Sequence, residues 1–136
     1  MNWIAGLVAG VVVYLADWVL WTYVFRTGMD AYVTQMSPEE MKKFMGPALA
    51  KSAVLSLAFG FLFAWFYGRF HGALWVAGGG PLAGMEFATV LWVPILLAMV
   101  GSSVWYTKVK SVQMATCWAW LIRMNAAGIA VGLLMR

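Results

Sequence analysis

Four long apolar segments constrain this chain more than any other feature of its sequence. They cover approximately residues 3–25, 48–68, 82–104 and 112–135. A helix of about 20 apolar residues is long enough to cross the hydrocarbon core of a bilayer. Because lipid cannot satisfy free backbone groups, such segments cross it as α-helices. The sequence therefore predicts an all-α, polytopic membrane protein, with four transmembrane helices in a single domain, 1–136.

The composition favours the same class of protein. Hydrophobic residues make up 64% of the chain and charged residues 10%, whereas soluble domains are typically about 25% charged. A chain of 136 residues is too short to bury so much apolar surface, so we expect lipid to surround it. The net charge of +4 does not indicate nucleic-acid binding, because basic side chains at helix ends reach anionic lipid headgroups.

The connection between the first two segments contains a helix start. Ser37 is a capping residue, Pro38 suits the first turn, and Glu40 is placed to close a capping box. Met41 and Phe44 follow on one side of this helix. We expect a short interfacial helix that lies flat on the membrane surface. A lid that gates a substrate site is the alternative.

Small residues recur at helical spacing, and we interpret them as helix-packing positions. Side chains of this size let two helix backbones approach closely in a membrane. The positions are Gly6 and Gly10 in the first segment, Ser52, Ser56 and Gly60 in the second, and Gly128 and Gly132 in the last. They exceed what four helices need among themselves, which favours further helices as partners.

Arg123 lies near the middle of the last segment, where an arginine costs at least about 2.5–3.5 kcal/mol on insertion scales. Its counter-charge is expected on another helix, because its own segment contains no carboxylate. At 1.5 Å per residue, Asp17 lies roughly 12 Å and Arg123 roughly 16 Å from the same membrane face. We therefore predict an intramembrane Asp17–Arg123 charge pair, with Asn125 and Gln113 as supplementary polar contacts.

Glu86 lies near the start of the third segment, roughly 10 Å nearer the opposite face than Arg123. It is the poorer partner for that arginine. Two interpretations of the intramembrane charges stay open: a structural clamp that sets helix register, or a coupling or substrate site. In the second, Glu86 is a proton-exchanging group. A simpler alternative is that Glu86 reaches the wet interface one turn away.

The distribution of basic residues predicts the orientation of the chain. The first and third connections carry Arg26, Lys42, Lys43, Lys108 and Lys110. The opposite side carries only Arg69 and Arg136. Because basic connections face the cytoplasm, we expect a multi-pass protein of the inner membrane with both termini outside the cytoplasm.

Several features of the layout are shared with a known family. Met1-Asn2-Trp3 runs directly into the first segment, an aromatic cluster ends that segment, and a helix-capped polar loop follows. A short lysine-containing connection then leads into a last helix that bears asparagine and glycine. This layout resembles a family of short bacterial inner-membrane proteins catalogued as a domain of unknown function. That family usually ends its first span with a small residue and Trp-Tyr, where this chain has Asp17-Trp18 and Trp21-Thr22-Tyr23. The resemblance implies no particular activity.

For the function, we expect a small non-enzymatic protein that acts as an oligomeric or accessory subunit of a membrane complex. Its partners are membrane lipid, further copies of the chain or other membrane subunits. One alternative is a proton-coupled transporter acting as a dimer. The layout is similar to small multidrug exporters, with an acid in the first span and Trp92 in the third, although those proteins have a membrane-embedded glutamate where this chain has Asp17.

A third interpretation is a pigment- or quinone-associated subunit. Aromatic side chains would line a groove for a lipid tail, and His71 is the single histidine that offers a nitrogen ligand. The sequence predicts no cofactor and no metal, although contact with lipid, quinone or pigment is compatible with it. It contains no Ser-His-acid set or ligand-spaced cluster, and its one cysteine, Cys117, is expected to pack as a small apolar residue.

Overall fold

The computed structural model describes residues 2–25, 37–105 and 110–135. These residues form four long helices and no strands: α1 (Trp3–Val19), α2 (Pro38–Phe70), α3 (Pro81–Trp105) and α4 (Lys110–Leu134). A π-helical turn, Leu20–Val24, continues α1, and a 3-10 turn, His71–Ala73, continues α2. All four helices are long and apolar enough to cross a membrane. The all-helical fold with four apolar helices is confirmed.

Helix α2 begins at the predicted cap. The Ser37 side chain accepts a hydrogen bond from the Glu40 backbone N–H (3.2 Å), and Glu40 Oε2 accepts one from the Ser37 N–H (2.9 Å). No separate interfacial helix follows in the described residues, because Pro38–Phe70 is one continuous helix of 33 residues. Pro47 lies inside it, where a proline removes one backbone hydrogen bond but does not have to end the helix.

The four helices pack in the order α2–α1–α4–α3. Helix α1 lies between α2 and α4, and α4 also packs along α3. Ala5, Ala9 and Val13 of α1 are fully buried, so this helix presents small side chains to its neighbours. Between α2 and α3, the Phe87 ring lies 5.2 Å from the Phe63 ring and 5.5 Å from the Tyr67 ring, measured between centroids. Aromatic side chains therefore join the outer helices.

Glycines occupy two close helix crossings. A Cβ atom on Gly60 of α2 would overlap the backbone of Gly6 and Gly10 of α1. A Cβ on either Gly84 of α3 or Gly128 of α4 would overlap the carbonyl group of the other glycine. Small residues are needed at these points because the backbones are in contact. The predicted packing glycines of the first two helices and Gly128 are thus used inside the molecule.

The loop between α2 and α3 also depends on glycine. Gly78, Gly79 and Gly80 have φ angles of +89°, +74° and +89°, a region that residues with a Cβ rarely adopt. The carbonyl of Gly80 lies where a Cβ on Gly132 would be. The loop therefore places its backbone directly against the end of α4, and Gly132 also packs within the chain.

Asn2 ties together the start of α1 and the end of α4. Its Oδ1 accepts a hydrogen bond from the Ala5 N–H (3.2 Å), and its Nδ2 donates one to the Leu134 carbonyl (3.2 Å). One side chain thus caps the start of α1 and the end of α4. Arg26, Lys108 and Arg136, which contribute to the predicted orientation, lie outside the described residues.

Candidate functional site

The structure brings Asp17 of α1 and Arg123 of α4 together. Arg123 Nη1 lies 2.8 Å from Asp17 Oδ1, and the two side chains retain only 20% (Asp17) and 11% (Arg123) of their surface. The contact is an ion pair rather than a well-directed hydrogen bond, because Asp17 Oδ1 accepts no hydrogen bond from the described residues. Asp17 lies three residues before the π-helical turn Leu20–Val24, and such turns often occur beside functional residues.

A second interaction holds the guanidinium of Arg123. Its Cζ atom lies 4.2 Å from the centroid of the Trp120 ring, one turn earlier on α4. A cation at this distance is attracted by the negative face of the ring. The Nε–H of Arg123 is buried and has no hydrogen-bond partner among the described residues. The Nη1 group of the guanidinium is therefore paired with the Asp17 carboxylate, whereas its Nε–H has no hydrogen-bond partner among the described residues.

A cavity of about 360 Å³ adjoins this pair, between α1, α2 and α4. We call it the charged cavity. It is lined by Asp17, Ala48, Lys51, Ser52, Leu55, Ser56, Trp120 and Arg123. Two of these side chains are cationic and one is anionic, so the lining has a formal charge of +1. Lys51 is exposed and Ser56 is buried, which means that the cavity extends from the surface of the bundle towards the ion pair.

The α2 side of the charged cavity was not predicted from the sequence. Ser52 and Ser56 were interpreted as packing residues only, and Lys51 was not related to the Asp17–Arg123 pair. A signal was present, because the positions 48, 51–52 and 55–56 recur every three to four residues and so lie on one face of α2. The polar side chains among them mark that face.

Glu86 lies apart from the charged cavity, in the first turns of α3. Its carboxylate accepts hydrogen bonds from the backbone N–H groups of Trp75 (2.7 Å) and Val76 (2.8 Å). These bonds tie the loop before α3 to the helix. The carboxylate thus has a structural role, and the alternative that Glu86 reaches the wet interface one turn away stays a prediction.

Asn125 and Gln113 do not contact the ion pair. Asn125 Nδ2 donates to the Leu121 carbonyl (2.9 Å). Its Oδ1 lies 3.4 Å from Thr89 Oγ1 of α3, whose hydroxyl also donates to the Met85 carbonyl at 2.9 Å. Gln113 Oε1 is buried and has no partner among the described residues. The predicted supplementary contacts are therefore absent from the described structure.

A second groove lies between α2 and α3, next to Glu86. Its volume is about 440 Å³, and its lining is largely aromatic and aliphatic, including Phe66, Phe70 and Trp75. His71 is not part of it. The imidazole of His71 stacks on Tyr67 at 5.5 Å and its Nδ1 lies 3.1 Å from the Tyr67 carbonyl oxygen. The pigment- or quinone-associated interpretation stays a prediction.

Two further residues from the sequence analysis meet at the α3–α4 contact. The indole N–H of Trp92 donates to the Cys117 carbonyl (2.8 Å), and the Cys117 side chain is fully buried. Both residues pack in the core. The described residues contain no group of three or more His, Cys, Asp or Glu side chains that could hold a metal ion.

Comparisons with other proteins do not assign the chain to a family. No protein-family model matches it, and neither a curated protein nor a solved structure shows significant similarity. The resemblance to short bacterial inner-membrane proteins therefore stays a prediction.

Proposed function

We propose that this protein is a small, non-enzymatic, multi-pass protein of a bacterial inner membrane, where it acts as an oligomeric or accessory subunit. The membrane location is supported by the outer surface of the helices. Leu62 of α2, Leu97 of α3 and Leu133 of α4 are 58%, 67% and 50% exposed. Large apolar side chains face outward while the Asp17–Arg123 pair faces inward. This distribution suits lipid as the surrounding medium.

The observation that carries the subunit role is an exposed face of small residues on α3. Pro94, Ala98 and Gly101 follow one another at intervals of four and three residues, so they share one side of the helix. All three are exposed, and a Cβ on Gly101 would meet nothing within 4 Å. The glycines of the two helix crossings pack inside the molecule. Ala98 and Gly101 are exposed on α3 beside Leu97, and small residues at this spacing allow a further helix to approach closely.

The experiment is to enlarge this face. In Gly101→Leu, a bulky side chain would hold a partner helix away, and the substitution suits a helix interior better than glycine does. Ala58→Leu is the matched control, because Ala58 is exposed on α2. We expect the protein, extracted from its native membrane in mild detergent, to migrate as a complex. Gly101→Leu should dissociate it and Ala58→Leu should leave it intact, as measured by size-exclusion chromatography with light scattering.

Two results would contradict the proposal. One is a monomer with no co-migrating protein, seen both in detergent and by chemical crosslinking in intact membranes. The other is a complex that Gly101→Leu and Ala58→Leu affect equally.

The charged cavity favours a second candidate, a proton-coupled transporter acting as a dimer, because it places a carboxylate beside an accessible volume within the bundle. In such a transporter, Asp17 would exchange a proton and release Arg123. Proteoliposomes should then show a proton flux driven by a lipophilic cation, and Asp17→Asn should abolish it. Absence of any flux in the wild-type protein removes this candidate.

A further inference from the structure

The side chains that line the charged cavity carry hydrogen-bond donors that have no acceptor among the neighbouring residues that the structure describes. Arg123 is nine-tenths buried, and its Nε–H has no partner in the described structure. Lys51 contributes an ammonium group, and Ser52 and Ser56 contribute hydroxyl groups to the same lining. A buried donor without a partner costs free energy that a ligand with acceptor atoms would recover. The cavity is therefore suited to a ligand rich in oxygen acceptors.

The charge of the lining selects an anion. Asp17, Lys51 and Arg123 are the titratable side chains among its residues, and Asp17 is paired with Arg123. The positive charge of Lys51 is then not balanced by a carboxylate in the cavity lining. A guanidinium and an ammonium group are the common cationic partners of phosphate in proteins. The Trp120 ring occupies one face of the guanidinium, so a ligand must approach its edge, where the N–H donors lie.

The position of the charged cavity along α2 places its opening near the lipid headgroups. Ala48 and Lys51 lie at the start of the predicted second span, at the depth where phospholipid headgroups meet the hydrocarbon. The cavity volume of about 360 Å³ is within the range of small-molecule sites, about 300–1,000 Å³. A phosphate group entering from the headgroup layer would meet Lys51 first and the edge of Arg123 beyond it.

We propose that the charged cavity binds a phosphate group, with Lys51, Arg123 and the hydroxyls of Ser52 and Ser56 as its donors. The group belongs either to an anionic phospholipid headgroup or to a free phosphate ion. This site is independent of the proposed subunit role, because it lies between α1, α2 and α4 and does not include the α3 face.

The test is a binding measurement on the full-length protein in detergent micelles. Isothermal titration calorimetry is carried out with inorganic phosphate, with dioctanoyl phosphatidylglycerol and with dioctanoyl phosphatidylcholine. Lys51→Met removes one charged donor while leaving the Asp17–Arg123 pair in place, and Lys51 is exposed, so the fold should be retained. Lys43→Met is the matched control, because Lys43 is exposed on the same helix and is not part of the lining.

We expect saturable binding of phosphate or phosphatidylglycerol that Lys51→Met weakens about tenfold or more, the effect of one charge-assisted hydrogen bond, and that Lys43→Met changes less than twofold. Tighter binding of phosphatidylglycerol than of phosphate identifies a lipid headgroup, and the reverse order identifies a free ion. The proposal is overturned if neither ligand binds, if both lysine variants weaken binding equally, or if phosphatidylcholine binds as tightly as the tighter of the two ligands.

Discussion

Asp17 and Arg123 each depend on the other to remain charged inside the bundle. Burial of a lone ion costs several kcal/mol even after the protein relaxes, and the 2.8 Å contact between Nη1 and Oδ1 offsets much of this for both groups. The pair thereby couples the position of α1 to that of α4. Trp120 adds a second contact that fixes the guanidinium on its own helix.

We therefore expect single substitutions of the pair to be more harmful than the double substitution. Arg123→Met should lower the free energy of unfolding by about 3–5 kcal/mol, because it leaves a partly buried carboxylate without a partner. Asp17→Asn should cost somewhat less, since its partner keeps the contact with Trp120. The double variant Asp17→Asn/Arg123→Met should recover at least half of the loss. Thermal unfolding in detergent followed by circular dichroism measures all three, and additive losses would contradict the expectation.

At the residue scale, the sequence predicted how deep a side chain lies along its helix better than it predicted the direction in which the side chain points around the helix axis. Counting residues along two helices placed Asp17 and Arg123 at similar levels, and the structure has them in contact. Asn125, however, is two residues from Arg123, which is a rotation of about 200° at 3.6 residues per turn, so it faces Thr89 of α3 instead. Gln113 is ten residues away, about 15 Å along the axis, and is out of reach.

At the scale of elements, the α1–α2 contact rests on the absence of a side chain at Gly60. The backbone of α1, at Gly6 and Gly10, occupies the space that a Cβ would fill. Gly46, on the same helix, meets nothing within 4 Å. Gly60 is therefore constrained by packing and Gly46 is not, so Gly46 serves as the control position for Gly60.

Gly60→Ala should lower the free energy of unfolding by about 1–3 kcal/mol, the usual effect of overpacking. Gly46→Ala should change the free energy of unfolding by less than about 1 kcal/mol, because the higher helix propensity of alanine is opposed by the contact of its Cβ with the following Pro47 ring. Unfolding by sodium dodecyl sulfate in mixed micelles compares them. Equal effects of the two substitutions would show that helix propensity, and not the crossing, determines the outcome.

The start of α2 gives a prediction about pH. Hydrogen bonds from the Ser37 backbone N–H and side chain lower the pKa of Glu40 below its usual value. A carboxyl whose pKa is lower in the folded state stabilises the helix start above its ordinary pKa, and this contribution is lost as the pH falls through the lowered value. Ser37→Ala keeps the backbone bond, which is the larger cause, and removes the side-chain bond, so it should raise the pKa of Glu40 part of the way towards its usual value, as measured by carbon NMR titration of the carboxyl. An unchanged pKa would contradict a contribution from the Ser37 side chain.

The first turn of α2 was predictable from Ser37, Pro38 and Glu40, but the length of the helix was not. A short interfacial helix and a separate second segment, 48–68, were predicted, and the two residues between them, Gly46 and Pro47, both disfavour helix interiors. The structure continues through them, since the residues on both sides are good helix formers and one missing hydrogen bond is tolerated. Residues of low helix propensity indicate where a helix can end. Whether it ends there depends on the helix propensity of the residues on either side.

At the scale of the whole molecule, α2 is longer than a bilayer requires. Its 33 residues correspond to about 50 Å, against about 30 Å of hydrocarbon. If Ala48–Gly68 crosses the membrane, the first turns of the helix, with Lys42 and Lys43, extend beyond the bilayer surface on one side. The glycine loop before α3, the start of α1 and the end of α4 then lie on the other side. The basic extension makes the orientation of the molecule testable.

We expect the Lys42–Lys43 end to face the cytoplasm, because positively charged connections are retained there. A single cysteine at each end of α2 reports the side of the membrane on which that end lies. The two variants are Glu39→Cys on the basic extension and Gly72→Cys after α2. At Gly72, a Cβ would meet nothing within 4 Å. In spheroplasts, a membrane-impermeant maleimide should label Gly72→Cys directly and Glu39→Cys only after lysis. The native Cys117 is fully buried and serves as the unlabelled background. Labelling of Glu39→Cys before lysis, with protection of Gly72→Cys, would reverse the orientation, and it would place the mouth of the charged cavity at the outer leaflet.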